Sequence, residues 1–223
     1  NLSDLLQDAI NRNPEMKPIK KDSRISLKDT QIGNLTNRIT FISKAIQRLT
    51  KLQIIYFANS PFTYDNIAVD WEDANSDYAK QYENEELSWS NLKDLTDVEL
   101  YNCPNMTQLP DFLYDLPELQ SLNIACNRGI SAAQLKADWT RLADDEDTGP
   151  KIQIFYMGYN NLEEFPASAS LQKMVKLGLL DCVHNKVRHL EAFGTNVKLT
   201  DLKLDYNQIE EIPEDFCAFT DQV

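Results

Sequence analysis

One nine-residue pattern, leucine-x-x-leucine-x-leucine-x-x-asparagine, recurs along this chain of 223 residues and constrains its fold more than any other feature. Positions 1, 4, 6 and 9 of the clear copies are Leu52, Ile55, Phe57 and Ser60; Leu95, Val98, Leu100 and Cys103; Leu119, Leu122, Ile124 and Asn127; Ile152, Phe155, Met157 and Asn160; Leu177, Leu180, Cys182 and Asn185; and Leu199, Leu202, Leu204 and Asn207. A weaker, earlier copy contains Ile25, Leu27 and Thr30. A repeat at this spacing predicts a solenoid of stacked coils.

The spacing inside the pattern predicts one short strand in each copy. Positions 4 and 6 are two residues apart and therefore point to one face of a strand, whereas position 5 points to the other. Position 9 turns the chain out of the strand, and a buried asparagine there needs backbone partners in the next coil. Ser60, Cys103 and Thr30 replace this asparagine with small donors, so we expect a weakened ladder at those coils.

Several copies continue into an NxLxxLP-like ending. Examples are Asn160-Asn-Leu162-Glu-Glu-Phe165-Pro166 and Asn207-Gln-Ile209-Glu-Glu-Ile212-Pro213, while the segment 103–110 has the same ending with one extra residue. The chain from 22 to 223 resembles the leucine-rich repeat family, and its LP endings resemble bacterial surface repeats and some intracellular scaffolds. The resemblance implies an α/β solenoid with a curved parallel sheet on its concave face and irregular or short helical segments on its convex side.

Irregular spacing predicts two insertions in about seven repeats. Successive sixth positions lie 30, 43, 24, 33, 25 and 22 residues apart, whereas a leucine-rich unit needs only about 20 to 29 residues. The insertions are assigned to 61–91, with a helix over 77–86, and to 131–150, whose helix would carry Leu135, Trp139 and Leu142 on one face. Residues 1–21 are assigned to an N-terminal helical cap. No polar capping unit follows Pro213, so we expect the repeats to continue beyond residue 223 in the native protein.

Side chains that are not used for the core define the candidate site. Positions 5, 7 and 8 are rich in Tyr, Asn and Asp, and tyrosines give large contact areas at a low cost in side-chain entropy. The aromatic content also fits the ordinary strand preference for such residues. The predicted concave binding surface contains Tyr56, Glu99, Tyr101, Asn123, Tyr156, Tyr159, Asp181, His184, Lys203 and Tyr206.

Other patterns give no reason to expect chemistry or a cofactor. Cys182 and His184 resemble a nucleophile with its base, but position 6 points into the core and position 8 does not. The acids at 144–147 lack the order of a calcium loop, and the four cysteines contain no CxxC pair, so we expect neither a metal nor a cofactor.

Composition limits the partners. The formal net charge is −13, which disfavours nucleic acid because phosphate binding depends on clustered Lys and Arg. Of that charge, the insertion 61–91 carries −7 (eight acids, one Lys) and 131–150 carries −3 (five acids, two bases). No apolar run is long enough to predict a membrane span.

The sequence therefore predicts a non-enzymatic binding module. The first hypothesis is a bacterial cell-surface or secreted protein that recognises a protein or glycan through its concave face. The alternative is a cytoplasmic scaffold or the regulatory segment of a larger signalling protein, because the same repeats serve both. Residues preceding Asn1 would distinguish the two hypotheses, since a secretory or lipoprotein signal there would favour the first.

Overall fold

The central element of the fold is a parallel β-sheet with one short strand from each coil. A computed structural model describes residues 24–26, 42–61, 63, 67–69, 87–195 and 198–216. In these residues the strands are β1 (Arg24–Ser26), β2 (Ile42–Ser43), β3 (Ile54–Tyr56), β4 (Ile67–Val69), β5 (Asp97–Glu99), β6 (Ser121–Asn123), β7 (Ile154–Tyr156), β8 (Leu179–Asp181) and β9 (Asp201–Lys203). Seven of them form the main sheet in the order β1-β3-β5-β6-β7-β8-β9, and β2 pairs with β4 separately.

In the main sheet, each of the strands β3 and β5 to β9 contains positions 3, 4 and 5 of the repeat. In β3 and β5 to β8 the middle residue is buried and its two neighbours are partly exposed. Neighbouring strands pair position with position, as in Ile55 with Val98 and Phe155 with Leu180. The core therefore lies on one side of the sheet. We call the other side, which bears positions 3, 5 and 7 together with position 8 at the strand end, the open face.

Buried asparagines at position 9 connect successive coils. Asn160 donates both Nδ2 hydrogens to backbone carbonyls, that of Met157 in its own coil and that of Ile124 in the preceding coil, each at 3.0 Å. Its Oδ1 accepts the N–H of Asn127 at 2.6 Å. Asn127, Asn185 and Asn207 make the same kinds of bond. The predicted ladder between coils is therefore confirmed, but the partners lie in the same and the preceding coil, not in the next coil as expected.

The two described departures from asparagine behave differently. The Cys103 thiol donates to the carbonyl of Phe57 in the preceding coil at 3.1 Å and therefore keeps one bond of the ladder. Ser60 instead donates to the carbonyl of Ala58 in its own coil at 3.2 Å. Thr30 lies outside the described residues.

Short helices line the side opposite the sheet. They are 3-10 helices at Lys44–Arg48, Trp89–Asn91, Asp111–Asp115 and Gly149–Lys151, and α-helices α1 (Ala132–Asp144) and α2 (Ser168–Leu171). Helix α1 confirms the helix predicted in the second insertion, and Ser131 Oγ caps it by accepting the N–H of Gln134 at 3.2 Å. The first-insertion helix and the N-terminal cap remain predictions, because they lie outside the described residues.

Aromatic side chains hold this opposite side together. Trp139 of α1 is fully buried and makes edge contacts with Phe155 and Phe165, with ring centroids 5.7 and 5.1 Å apart. Phe165 contacts Phe193, which contacts Phe216, each at 5.9 Å. The predicted packing role of Trp139 is confirmed, and its insertion forms part of the core.

Helix α1 is also tied to the preceding coil through a carboxylate. Asp138 is almost completely buried; its Oδ2 accepts the N–H of Leu109 at 2.8 Å and its Oδ1 accepts from Gln134 Nε2 at 2.7 Å. Burial raises the pKa of Asp138, although both hydrogen bonds oppose this shift. Among the described helices, none is long and apolar enough to cross a membrane.

Candidate binding site

Position 8 has the same unusual backbone conformation in six successive coils. Its residues have positive φ values of 54° at Asn59, 52° at Asn102, 65° at Cys126, 57° at Tyr159, 52° at His184 and 57° at Tyr206. We call these six residues the position-8 column. The left-handed region costs a residue with a Cβ roughly 1–2 kcal/mol, and asparagine and histidine tolerate it better than most residues, so Cys126, Tyr159 and Tyr206 are the unexpected members.

Backbone hydrogen bonds explain why the column is regular. The N–H of Tyr159 donates to the carbonyl of Val183 in the next coil at 2.9 Å, and that of His184 donates to the carbonyl of Asp205 at 2.9 Å. Asn59, Asn102 and Cys126 make the same bond to position 7 of the next coil. The ladder of the sheet therefore extends past the strands and holds the position-8 side chains in register.

The last three members of the column form an aromatic stack. The rings of Tyr159 and His184 lie 4.2 Å apart at 17°, and those of His184 and Tyr206 lie 4.0 Å apart at 11°. Tyr159 is 41% exposed and Tyr206 74% exposed. Such ring pairs contribute about 0.5–1.5 kcal/mol each, which offsets part of the backbone strain and fixes the rings in one orientation.

The first part of the column is polar. Asn102 Nδ2 donates to Asn59 Oδ1 at 2.6 Å. The pKa of Tyr101 is raised, mainly because of a side-chain hydrogen bond with Cys126. The charge of the Cys126 thiol, burial, and the charges of Tyr159 and Glu99 raise it further. Tyr101 therefore stays protonated and neutral at physiological pH, with its hydroxyl engaged by the column.

The structure brings all ten predicted site residues to the open face, spread over six coils. Position 5 contains Tyr56, Glu99, Asn123, Tyr156, Asp181 and Lys203; position 7 contains Tyr101; position 8 contains Tyr159, His184 and Tyr206. Asn123 Oδ1 and Asp181 Oδ1 accept the N–H two residues ahead, at 3.0 and 3.2 Å, which stiffens the turn out of the strand. These residues form an extended surface rather than a pocket.

The open face also bears an apolar patch on β7 and β8, of which only Tyr156 was among the predicted residues. Ile154 of β7 pairs with Leu179 of β8, and both are partly buried at position 3. A Cβ added to Gly158 would lie 2.9 Å from Val183 Cγ2, so the absent side chain leaves the space that Val183 occupies. We call Ile154, Tyr156, Leu179 and Val183 the apolar patch. A pair of β-branched or leucine residues at position 3 of consecutive copies is the sequence signal that identifies it.

The cysteine and histidine of the Cys182-Val-His184 segment lie in different environments. Cys182 is fully buried, and burial holds the pKa of its thiol well above the ordinary value of 9.0. Burial likewise raises the pKa of Cys103 to about 12. His184 lies in the aromatic stack on the open face, so the orientations predicted for both residues are confirmed, and neither buried thiol is primed as a nucleophile.

Comparison with known proteins identifies the repeat type. A leucine-rich repeat protein from Bacteroides eggerthii is 61% identical over 100% of this chain, with a TM-score of 0.79, and the chain spans 36% of that protein's length. Internalin C2 from Listeria monocytogenes is 17% identical over 88% of this chain and 77% of its own, with a TM-score of 0.50. A chain of the Drosophila Toll–Spatzle complex is 23% identical over 81% of this chain and 21% of its own, with a TM-score of 0.54.

The similarities to internalin C2 and to the chain of the Toll–Spatzle complex show the fold alone. No protein-family model matches the sequence, and no curated protein does. The sheet of one strand per coil, the asparagine ladder and the 61% identity with the Bacteroides protein agree with one another. The predicted resemblance to leucine-rich repeat proteins is thus confirmed, and the chain folds as a leucine-rich repeat solenoid.

Proposed function

We propose that this chain is a non-enzymatic binding module that recognises a macromolecular ligand, a protein or a glycan, through the open face of its sheet. The observation that carries the proposal is the aromatic stack of Tyr159, His184 and Tyr206, which is solvent-exposed although each residue has a strained backbone. Residues other than glycine with a left-handed backbone cluster at active sites and ligand-binding surfaces, and here three of them lie in consecutive coils.

The construction of the open face supports recognition. The sheet lines the concave side of a leucine-rich repeat horseshoe, and solenoids use such surfaces for binding. The stacked rings are held by backbone bonds and by one another, so a ligand would pay little entropy to immobilise them. The apolar patch adds a partly buried centre within a polar surround, which is the usual arrangement of an interface.

We further propose that the protein acts at the surface of a bacterium or is secreted from it. The 61% identity with a Bacteroides eggerthii protein supports a bacterial source, and among bacterial proteins the LP-type repeat endings resemble those of surface repeats. Antibody labelling of intact and lysed cells that express the native gene tests this location. Signal only after lysis would contradict it and would favour the cytoplasmic scaffold.

The binding proposal is tested by removing two exposed rings together. Tyr159→Ala/Tyr206→Ala is compared with the wild-type chain on a glycan array and in a protein pull-down with purified candidates. Ile212→Ala is the matched control, because Ile212 is a 66% exposed apolar side chain outside the open face. We expect the double variant to lose the ligand and the control to keep it. Equal binding by all three chains would refute the open face as the binding surface.

A further inference from the structure

We infer that the partner of the open face is a protein segment that presents an apolar side chain flanked by lysine or arginine, rather than a glycan. This inference rests on the proposed binding function and specifies its ligand. It is carried by three observations on the same surface: the apolar patch, the carboxylates on both sides of it, and the stacking of the aromatic rings on one another.

The charge of the open face is strongly one-sided. From β3 to β9, positions 3, 5, 7 and 8 contain five carboxylates and one lysine, a net charge of −4: Asp97, Glu99, Asp181, Asp201, Asp205 and Lys203. Lys203 Nζ lies 3.8 Å from Asp181 Oδ2 and therefore neutralises that carboxylate. Among the described residues, the other four carboxylates take part in no salt bridge. A cationic partner would supply the missing counter-charges.

The positions of these carboxylates define where the partner's charges must lie. Asp201 of β9 pairs in register with Leu179 of the apolar patch, and adjacent strands are about 4.8 Å apart. Asp97 and Glu99 are on β5, two strands from β7 on the other side of the patch, roughly 10 Å away. A partner whose apolar residue contacts the patch would therefore place basic residues about 5 Å away on one side and 10 Å on the other.

The aromatic stack contributes shape and apolar area rather than attraction for the cation. A ring attracts cations through its face, but both faces of His184 are covered by Tyr159 and Tyr206. Four of the six ring faces therefore lie against one another, and the stack presents ring edges, hydroxyl groups and the outer faces of its two tyrosines. Sugars also bind to ring faces, so the four covered faces leave a glycan fewer stacking sites, and the carboxylates would repel an acidic glycan.

The inference is tested by selecting 12-residue peptides from a random phage-displayed library against the full chain. We expect the enriched peptides to combine Lys or Arg with one or two large apolar residues. Enrichment of acidic or uncharged peptides, or of none, would overturn the inference while leaving the proposed function to the glycan array and pull-down. Selected peptides that bind Tyr159→Ala/Tyr206→Ala as well as wild type would count against both.

Charge reversal provides the sharper arm of the experiment. Asp201→Lys/Asp205→Lys changes two exposed side chains of the open face, and Glu146→Lys/Asp147→Lys makes the same charge change in the exposed turn after α1. We expect roughly tenfold weaker binding of a selected peptide to the first variant and unchanged binding to the second. Replacing the peptide's Lys by Glu should restore affinity for the first variant only. Equal losses in both variants, or no rescue, would overturn the inference.

Discussion

Substitution of the ladder asparagines by alanine should destabilise the protein to very different extents, although the three side chains make the same kinds of bond. We consider Asn127→Ala, Asn160→Ala and Asn207→Ala. Each loses one accepted and two donated hydrogen bonds, and Asn207 loses a third, longer donated bond to the carbonyl of Asp205 at 3.4 Å. The difference between them lies in the backbone groups that remain without a partner.

The Asn127→Ala change leaves two buried groups unpaired. The N–H of Cys103 loses its only acceptor, and the carbonyl of Leu100 loses its only donor because the Cys103 thiol donates to Phe57 instead. An unsatisfied buried group costs about 1–3 kcal/mol. The lost bond to the carbonyl of Ile124 costs less, because that carbonyl still accepts from Asn160. In total we expect the free energy of unfolding to fall by about 4–6 kcal/mol.

Asn160→Ala leaves only one group unpaired, the N–H of Asn127. The two carbonyls that accept from Asn160 each keep a second donor. Asn127 still donates to the carbonyl of Ile124, and Asn185 still donates to that of Met157. We expect Asn160→Ala to lower the free energy of unfolding by about 2–4 kcal/mol. Asn207 is partly exposed, so water can replace its lost bonds, and Asn207→Ala should cost about 1–2 kcal/mol.

Urea unfolding followed by circular dichroism measures the three variants against wild type. Asn161→Ala is the matched control, because this neighbouring asparagine is partly exposed and its single side-chain bond, to the carbonyl of Arg128, is exposed. Its substitution should change the free energy of unfolding by less than about 1 kcal/mol. If Asn127→Ala costs no more than Asn160→Ala, the reasoning from unpaired groups is wrong.

Three further outcomes are expected. Gly129→Ala should destabilise the fold by about 1–3 kcal/mol, because its Cβ would lie 2.6 Å from two backbone oxygens, whereas Gly178→Ala, with 3.7 Å to the nearest atom, should change thermal stability little. The raised pKa of Asp138 means that the native state binds this proton more tightly than the unfolded chain, so its stabilising contribution is full below about pH 3.8 and is lost as pH rises through the native pKa. Urea titrations should therefore show a weaker fall in stability above pH 3.8 for Asp138→Asn than for wild type, and identical slopes would contradict this. At pH 8, alkylation mapped by mass spectrometry should modify the partly exposed Cys126 well before Cys103, whose buried thiol has a pKa of about 12; the opposite order would refute the assignment.

The sequence was sufficient to predict the strands, the core and the ladder. Alternation with a period of two places Phe155 and Met157 on the same side of the chain, and burial of one side follows from the hydrophobic effect alone. The second-insertion helix was equally predictable, since Leu135, Trp139 and Leu142 form one apolar face. Both inferences depend only on neighbours along the chain.

The geometry of position 8 could not be predicted in this way. A tyrosine or cysteine has no local preference for positive φ, and the residues expected there are glycine, asparagine, aspartate and histidine. The conformation of Tyr159 is imposed by its hydrogen bond to the next coil, 24 residues later. The stacking of Tyr159 on His184 likewise depends on contacts between coils. The charge of the open face, in contrast, can be read from the sequence once positions 3, 5, 7 and 8 are assigned.

The spacing of the aromatic stack has a mechanical consequence. The ring centroids of Tyr159, His184 and Tyr206 are 4.2 and 4.0 Å apart, whereas the strands of a sheet are separated by about 4.8 Å. The rings therefore lean together, and the side of the solenoid that carries them is shorter than the backbone behind it. Flattening the solenoid would separate the rings and lose their stacking energy, so the stack resists straightening. A ligand that inserts between the rings would reduce the curvature of the solenoid, whereas one that contacts only the ring edges would leave the curvature unchanged.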